Sequence, residues 1–253
     1  MIPLKDYNPT RRFPVVTVVL IAINVGVYFL VQQPNENRNG QAQFTYSHAA
    51  IPCEVVEGQP LSEQEVRRTL EEGDTESCVH DDTSPEVFPD KNVYLALLYS
   101  MFLHGSLLHI GGNMLFLWIF GNNIEDRMTP VPYLGFYLLS GLVASAAHIL
   151  VQPNSTIPVI GASGAIAGVM GAYLVLFPNV RIRTLFLFLL ILIRDIQAKW
   201  LLGFWFVLQF FTNPSAGVAW VAHVGGFAFG ALVALFLRGR PQPAPVDPTP
   251  VVY

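Results

Sequence analysis

The sequence has little charge. Only 13% of its 253 residues are charged, about half the ~25% of an ordinary soluble domain. Its hydrophobic fraction is 52% and its mean hydropathy is +0.45. It has no basic stripe of the kind that binds nucleic acid. The composition therefore predicts a membrane protein in contact with lipid, with no nucleic-acid partner.

Carboxylates are scarce outside one segment. Of the 18 acidic residues, 13 fall between Gln32 and Lys91. The apolar remainder keeps only Asp6, Glu125, Asp126, Asp195 and Asp247. The motif His-Glu-x-x-His of zinc proteases is also missing, and we expect neither a metal nor a cofactor. The chain divides into an acidic insert and an apolar body.

Hydrophobic runs predict an all-α polytopic fold, a bundle of six transmembrane helices with a large outer loop between helices 1 and 2. The first span, 13–31, follows a short N-terminus at 1–12 and has nearly the ~20 residues that a crossing needs. A cleaved signal peptide is the alternative, but the residues after Val31 form a poor cleavage site. The loop covers 32–92, and the later spans cover about 106–122, 130–151, 162–177, 200–213 and 219–237.

Four further segments have weaker signals. Residues 93–105 are expected along the membrane interface, and the proline-rich tail 239–253 is expected to be disordered. The apolar core of 181–199 is only ten residues long, too short to cross, so an interfacial or re-entrant hairpin is predicted. Within the insert, the spacing of Ser62 and Glu65 predicts a capped helix.

The basic residues predict orientation, because they collect on the cytoplasmic side. Six spans place both termini on one side, which then holds ten of the 14 Lys and Arg residues. The sequence therefore predicts a multi-pass protein of the cell membrane with cytoplasmic termini and an outer insert. The insert holds both cysteines, Cys53 and Cys78, in a disulfide-permissive compartment. A disulfide between them is a hypothesis that the sequence alone leaves open.

A few polar side chains interrupt the apolar runs, and such residues are functional candidates by default. His109 and Asn113 are four residues apart, so they share a helix face. His104 lies just before them, and His148 lies near the end of the third span without a motif around it. The other polar candidates, which include Ser163 and His223, are expected near the outer ends of their helices; His148 is the exception.

Two rows of glycine accompany Ser163 and His223. One row runs through Gly161, Gly164, Gly168 and Gly171, and the other through Gly226 and Gly230. Glycine at four-residue spacing lets membrane helices approach closely. If the two rows meet, they bring His223 to Ser163, and a serine beside a histidine is an activated nucleophile.

Each residue alone has a simpler explanation. A serine among glycines is usually packing, and a histidine at a helix end is usually interfacial. The interpretation depends on three patterns in order: His-x-x-x-x-His-x-x-x-Asn, Gly-x-Ser-Gly and Ala-His-x-x-Gly-x-x-x-Gly.

These patterns resemble the rhomboid family of intramembrane serine proteases, whose three signature regions match "HGSLLHIGGNMLFLWIFGNNIEDR", "GASGAIAGVMGAY" and "AHVGGFAFG". The resemblance covers about 93–238 and implies a protease core there. It implies Ser163 as nucleophile and His223 as general base, without an aspartate. It also implies that His109 and Asn113 donate to the oxyanion.

The resemblance implies supporting roles for other residues. His104 and the pair Glu125 and Arg127 match structural positions. The glycines expected to support the site are Gly161, Gly164, Gly226 and Gly230. One departure is Ala167, where some members have a tyrosine that packs on the catalytic histidine. The implied substrate is a transmembrane segment cut near its outer end, with the fifth span and the loop "TNPSAGVAW" as the gate.

Two other functions remain open at this stage. One is an inactive relative that binds membrane clients, which the presence of Ser163 and His223 disfavours. The other is a small transporter, for which an internal repeat and paired broken helices would be expected. Neither feature is visible in the sequence.

Overall fold

The computed structural model describes residues 1–35, 40–79, 83–187, 191–212 and 219–239. Residues 213–218 of the predicted gating loop 212–220, and nearly all of the predicted tail, lie outside these ranges. The described residues are mostly helical. The helices are α1 Val15–Gly26, α2 Gly40–His48, α3 Pro52–Glu57, α4 Glu63–Arg67, α5 Ala96–Ser100, α6 Leu107–Phe116, α7 Asn122–Met128, α8 Pro130–Val151, α9 Ser163–Leu176, α10 Ala198–Gln209 and α11 Trp220–Leu237.

Three helical stretches among the described residues are long and apolar enough to cross a membrane: Val15–Gln32, Pro130–Val151 and Trp220–Leu237. They coincide with the first, third and sixth predicted spans. The fourth falls on the short apolar helix α9, and the fifth falls on the 12 residues of α10. The chain is thus a membrane protein with apolar helices, and the count of six spans stays a prediction.

Three of the described helices continue through π-helical turns, and one of them is α4, which runs on through Arg68–Glu72. The first crossing runs on from α1 through Val27–Gln32. Likewise α6 continues through Leu117–Gly121 into α7, so the second predicted span extends beyond residue 122 to Met128. A π-turn widens the helix and changes which side chains share a face, which the sequence pattern did not reveal.

The fold also contains a sheet, so the prediction of an all-α fold was wrong in this respect. Strands β1 Ile2–Asp6, β2 Arg181–Leu187 and β3 Ile191–Gln197 pair in the order β1-β2-β3. Both pairings are antiparallel. The segment predicted as a hairpin is therefore built from strands, and the alternation of exposed arginine with buried Ile182 and Thr184 in β2 is the period-two pattern of a strand.

Helix α9 lies at the centre of the bundle. Every residue from Gly164 to Tyr173 is buried, and α9 packs against both α8 and α11. Its short length and small side chains allow the neighbouring helices to surround it. The helix that begins with Ser163 is thus held on several sides.

The described part of the acidic insert is folded, and we call residues 40–79 the cap. It contains α2, α3 and α4 around a small core formed by Tyr46, Ile51, Cys53 and Leu61. Ser62 and Glu65 form the predicted capping box at the start of α4. The structure joins Cys53 to Cys78 by a disulfide. This segment, interpreted from sequence as a polar loop, is a compact unit.

Candidate active site

Ser163 is the first residue of α9, and the turn before it requires a glycine. Gly161 has φ +124°, a backbone conformation that side chains disfavour. A Cβ at this position would also lie 2.8 Å from Nε2 of His109. Gly161 therefore lets the chain turn into α9 and keeps His109 close to Ser163.

Glycine contacts between α9 and α11 bring His223 to the serine. A Cβ on Gly226 would overlap the carbonyl of Gly164, and one on Gly230 would overlap the carbonyl of Gly168. The two glycine rows thus face each other, with backbone packed on backbone. Close approach of this kind is what small residues permit in membrane helices.

The dyad geometry follows from this packing. His223 Nε2 lies 2.8 Å from Ser163 Oγ, which is hydrogen-bond distance. The other ring nitrogen, Nδ1, lies 2.7 Å from Oε1 of Gln209. The partner behind the histidine is therefore an amide from α10 and not a carboxylate.

The Gln209 amide has a defined orientation. Its Nε2 donates to the carbonyl of Trp205 at 3.0 Å, so its oxygen must face His223, since the opposite orientation would set two carbonyl oxygens against each other. An acceptor at Nδ1 fixes the proton there. The lone pair of Nε2 then faces Ser163, as a general base requires.

Trp205 packs beside the same histidine. The two ring centroids are 5.7 Å apart at 40°, a separation at which aromatic rings interact favourably. Ala167 leaves one side of the site without an aromatic, and α10 supplies one from another side. The sequence analysis missed both Gln209 and Trp205, and the one available signal was an amide in an otherwise apolar span.

His109 and Asn113 lie on α6 and line the same cavity as Ser163. Helix α6 begins where it does because Ser106 Oγ accepts a hydrogen bond from the backbone N–H of His109. Asn113 is buried, and its Nδ2 has no acceptor among the described residues. A buried amide donor that faces a cavity is available to an incoming oxygen.

His104 lies behind His109 and does not line the cavity. It is fully buried, and its ring meets the His109 ring edge-on with centroids 5.1 Å apart. Its backbone exchanges two hydrogen bonds with the Gln32 side chain, which ends the first crossing. Gln32 was not predicted from sequence, and it fixes the turn before α6.

Glu125 and Arg127 lie far from Ser163, at the other end of the α6–α7 helix. Sixteen residues separate Glu125 from His109, roughly 24 Å along a helix. Glu125 accepts hydrogen bonds from the backbone of Val16 and Thr17 at the start of α1. Arg127 donates to the carbonyl of Leu237 at the end of α11. They stabilise two helix ends.

The cavity above Ser163 has a volume of about 720 Å³. Ser163, His223, His109 and Asn113 all contribute to its lining. His148 also lines it, although it stands in no sequence motif. The structure thus brings together the two dyad residues and the two predicted oxyanion donors around one space large enough for a short peptide segment.

The cap docks on the segment that leads to Ser163. The hydroxyls of Thr69 and Thr156 lie 2.6 Å apart, and the N–H of Thr156 donates to the carbonyl of Thr75 at 2.9 Å. The N–H of Val159 donates to the carbonyl of Ala50 at 2.8 Å. These bonds fix the chain between α8 and α9.

A buried ion pair holds the base of the cap. Lys91 pairs with Glu54 and donates to the carbonyl of Tyr46. Burial raises the pKa of Glu54 and lowers that of Lys91, and the pairing opposes both shifts. Removing one partner would leave a buried charge, which is costly.

Comparison with known proteins bears on this geometry. Residues 91–240 match the family model of the rhomboid domain. Rhomboid protein 1, mitochondrial, from Saccharomyces cerevisiae is 28% identical over 141 residues, covering 54% of this chain and 33% of that protein. RHOMBOID-like protein 6, mitochondrial, from Arabidopsis thaliana is 32% identical over 159 residues, covering 58% of this chain and 44% of that protein.

A third relative is the human presenilin-associated rhomboid-like protein, mitochondrial. It is 29% identical over 141 residues, covering 53% of this chain and 35% of that protein. The alignments span less than half the length of these relatives. The family model covers more than half of this sequence, and the matched part includes His109, Asn113, Ser163 and His223. The chain therefore belongs to the rhomboid family.

Proposed function

We propose that the protein is an intramembrane serine endopeptidase that cuts transmembrane segments of membrane-protein substrates near their outer end. The observation that carries this proposal is the 2.8 Å separation of Ser163 Oγ and His223 Nε2 at the floor of the cavity. A nucleophile and a base at this distance form the minimal unit of acyl transfer.

The reaction has two halves. In the first, His223 Nε2 takes the Ser163 proton while Oγ attacks the scissile carbonyl carbon. The protonated histidine then gives that proton to the leaving amine, the C–N bond breaks, and an acyl-enzyme remains. In the second half a water is deprotonated by His223 and attacks the ester, and Ser163 recovers its proton as the new carboxyl product leaves.

The oxyanion formed in each half needs donors. Asn113 Nδ2 is unengaged among the described residues, and His109 and the backbone N–H of Ser163 complete the set that we propose. One such donor is commonly worth ~10²–10³ in rate. No step in this scheme needs a metal or a cofactor.

Gln209 acts as a positioning residue in this scheme. It accepts from Nδ1 of His223 and so selects the tautomer that has a free lone pair on Nε2. A neutral amide orients the imidazole but adds little charge stabilisation, in contrast to the aspartate of a serine-protease triad.

We further propose a location in the cell membrane with both termini in the cytoplasm. The basic residues favour this orientation, and a disulfide in the cap suits an oxidising compartment. Three relatives have names that include the word mitochondrial, so a mitochondrial membrane is the alternative. Protease accessibility of the cap in sealed vesicles, compared with that of the N-terminus, tests whether the cap and the N-terminus lie on opposite sides of the membrane.

A second candidate function is binding of membrane clients without cleavage. The test is cleavage of a single-span test substrate by purified protein in proteoliposomes. Wild type should cut it, and the variants Ser163→Ala and His223→Ala should not. The cap offers a matched control in Ser47 and His48, an exposed pair that is also hydrogen bonded at 2.8 Å. Ser47→Ala and His48→Ala should retain activity, whereas cleavage that survives Ser163→Ala would contradict the proposal.

A further inference from the structure

One wall of the cavity comes from the cap. Thr75 and Glu76 line the cavity together with Ser163 and Asn113. These two cap residues are anchored on both sides, because the Thr75 carbonyl accepts from Thr156 and Cys78 is joined to Cys53. The fold of the insert therefore holds the backbone of Glu76 beside the site, and Glu76 contributes to the cavity lining.

The charge on this wall has one sign. Glu76 is the only acidic residue among the described residues that line the cavity, and no lysine or arginine is among them. The nearby Arg68 donates to Ser77 at 3.1 Å. Glu76 makes no ion pair within the described ranges. A cavity lined by one sign of charge attracts the opposite sign.

A second element adds to the same field. Helix α8 is 22 residues long, and His148 and Gln152, at its C-terminal end, also line the cavity. The C-terminus of a helix carries partial negative charge and favours cations. His148 is 93% buried, and its Nδ1 has no partner among the described residues. This end of α8 therefore presents an unused polar group and a favourable field.

We propose that the wall formed by Glu76 and the C-terminal end of α8 binds a basic side chain, lysine or arginine, close to the scissile bond of the substrate. This inference rests on the proposed protease function and assigns the acidic insert a role in selecting substrates. The carboxylate would accept from the cationic side chain, and His148 and Gln152 would offer further acceptors. A partly exposed ion pair of this kind is worth a factor of about two to five.

The experiment compares three versions of one single-span test substrate that carry lysine, glutamine or glutamate. The replaced position is moved through the two residues on each side of the cut. At one of these positions we expect kcat/KM for lysine to exceed that for glutamine by about two- to fivefold, with glutamate cut more slowly still. Glu76→Gln should remove this preference, and Glu76→Lys should reverse it.

The matched control is Glu72→Gln, since Glu72 is an exposed acid of the same cap that does not line the cavity. It should keep the wild-type preference. An unchanged preference in Glu76→Gln, or equal cleavage of all three substrates by wild type, would overturn the inference. Thermal unfolding of each variant shows that the cap remains folded.

Binding of the same substrates to Ser163→Ala, measured by fluorescence anisotropy in detergent, separates the two proposals. Suppose that no substrate is cleaved, but that the lysine-bearing substrate binds more tightly than the glutamine-bearing one and Glu76→Gln removes the difference. The proposed protease function is then wrong, and the proposed binding of a basic side chain is supported. If substrates are cleaved without a charge preference, the protease function is supported and the binding of a basic side chain near Glu76 is ruled out. If neither cleavage nor charge-dependent binding is found, both fail.

Discussion

Gln209 Oε1 accepts a hydrogen bond from Nδ1 of His223 at 2.7 Å, and Gln209 is the last residue of α10. The helix that carries Gln209 also carries Trp205, which packs on the same imidazole. The orientation of the proposed base thus depends on where α10 lies. A movement of α10 that separated Gln209 from His223 would release the base from its tautomer.

Replacing Gln209 tests this dependence. We expect Gln209→Leu to lower kcat by at least about tenfold with little change in KM, because general-base catalysis contributes ~10²–10⁴ and depends on a positioned lone pair. Gln209→Glu keeps an acceptor at the same place and should restore much of the rate. Thr212→Val, one turn beyond α10, serves as the control. The Thr212 hydroxyl donates to the carbonyl of Leu208, and valine keeps the backbone N–H that donates to the carbonyl of Gln209. Equal kcat in wild type and Gln209→Leu would contradict this role.

The glycine contact predicts a strong steric effect. Gly230→Ala should destabilise the protein by more than about 1–3 kcal/mol, the usual cost of overpacking, because the new methyl would overlap the backbone of Gly168, which cannot rotate away. The measurement is thermal unfolding in detergent together with cleavage activity. Gly203→Ala in α10 is the control, since a Cβ there meets nothing within 4 Å. Equal unfolding temperatures and equal activities for Gly230→Ala and Gly203→Ala would contradict the close packing of α9 on α11.

The disulfide predicts a link between the cap and activity. Closing a loop of 25 residues contributes about 3 kcal/mol in the chain-entropy treatment. The double variant Cys53→Ser/Cys78→Ser should unfold at lower temperature and lose activity, because the cap fixes Thr156 and Val159 before Ser163. Reduction of wild type should have the same effect. Full activity in the reduced protein would show that docking of the cap is not needed.

Asp6 predicts a pH dependence of stability. Asp6 is the last residue of β1, and its carboxylate accepts hydrogen bonds from Tyr173 and Asn123. Burial raises the pKa of Asp6 from 3.8 to about 6. The folded state therefore binds the proton more tightly than the unfolded state. The stabilisation by the protonated form is complete below about pH 4 and is lost as the pH rises through 6.

The variant Asp6→Asn should remove this loss while keeping an acceptor for both donors. The free energy of unfolding, measured from pH 4 to pH 8, should become larger for Asp6→Asn than for wild type as the pH rises. The difference should reach about 3 kcal/mol above pH 6. The exposed Asp90→Asn should follow wild type. Parallel curves for wild type and Asp6→Asn would exclude this contribution.

The sequence predicted the parts of the site that lie in local patterns. Ser163, His223, His109 and Asn113 stand in short motifs with fixed spacing, and the glycine rows show which helices can approach. Gln209 belongs to no motif, because its contact with His223 spans 14 residues through two helices whose mutual position the sequence does not specify. The same holds for Gln32 and His104, which are 72 positions apart.

The fold was predicted best where apolar length decides it. Pro130–Val151 coincides with the predicted third span, because a long apolar run has one low-energy form in lipid. The pairing of β1 with β2 joins residues near positions 2 and 185, and no local pattern indicates such a partner. The sequence indicated the disulfide of the cap and the capped start of α4, but not its compact fold. That fold depends on contacts between distant positions, such as the ion pair of Glu54 with Lys91 and the hydroxyl contact of Thr69 with Thr156.

The central claim is that Ser163 is a nucleophile activated by His223. The most direct measurement is mass-spectrometric mapping of the protein after reaction with a serine-directed fluorophosphonate in detergent. The account predicts an adduct on Ser163 in wild type, a greatly reduced rate of labelling in His223→Ala, and unaltered labelling in His48→Ala. An unlabelled Ser163 in protein that cleaves substrate, or equal labelling of wild type and His223→Ala, would contradict it.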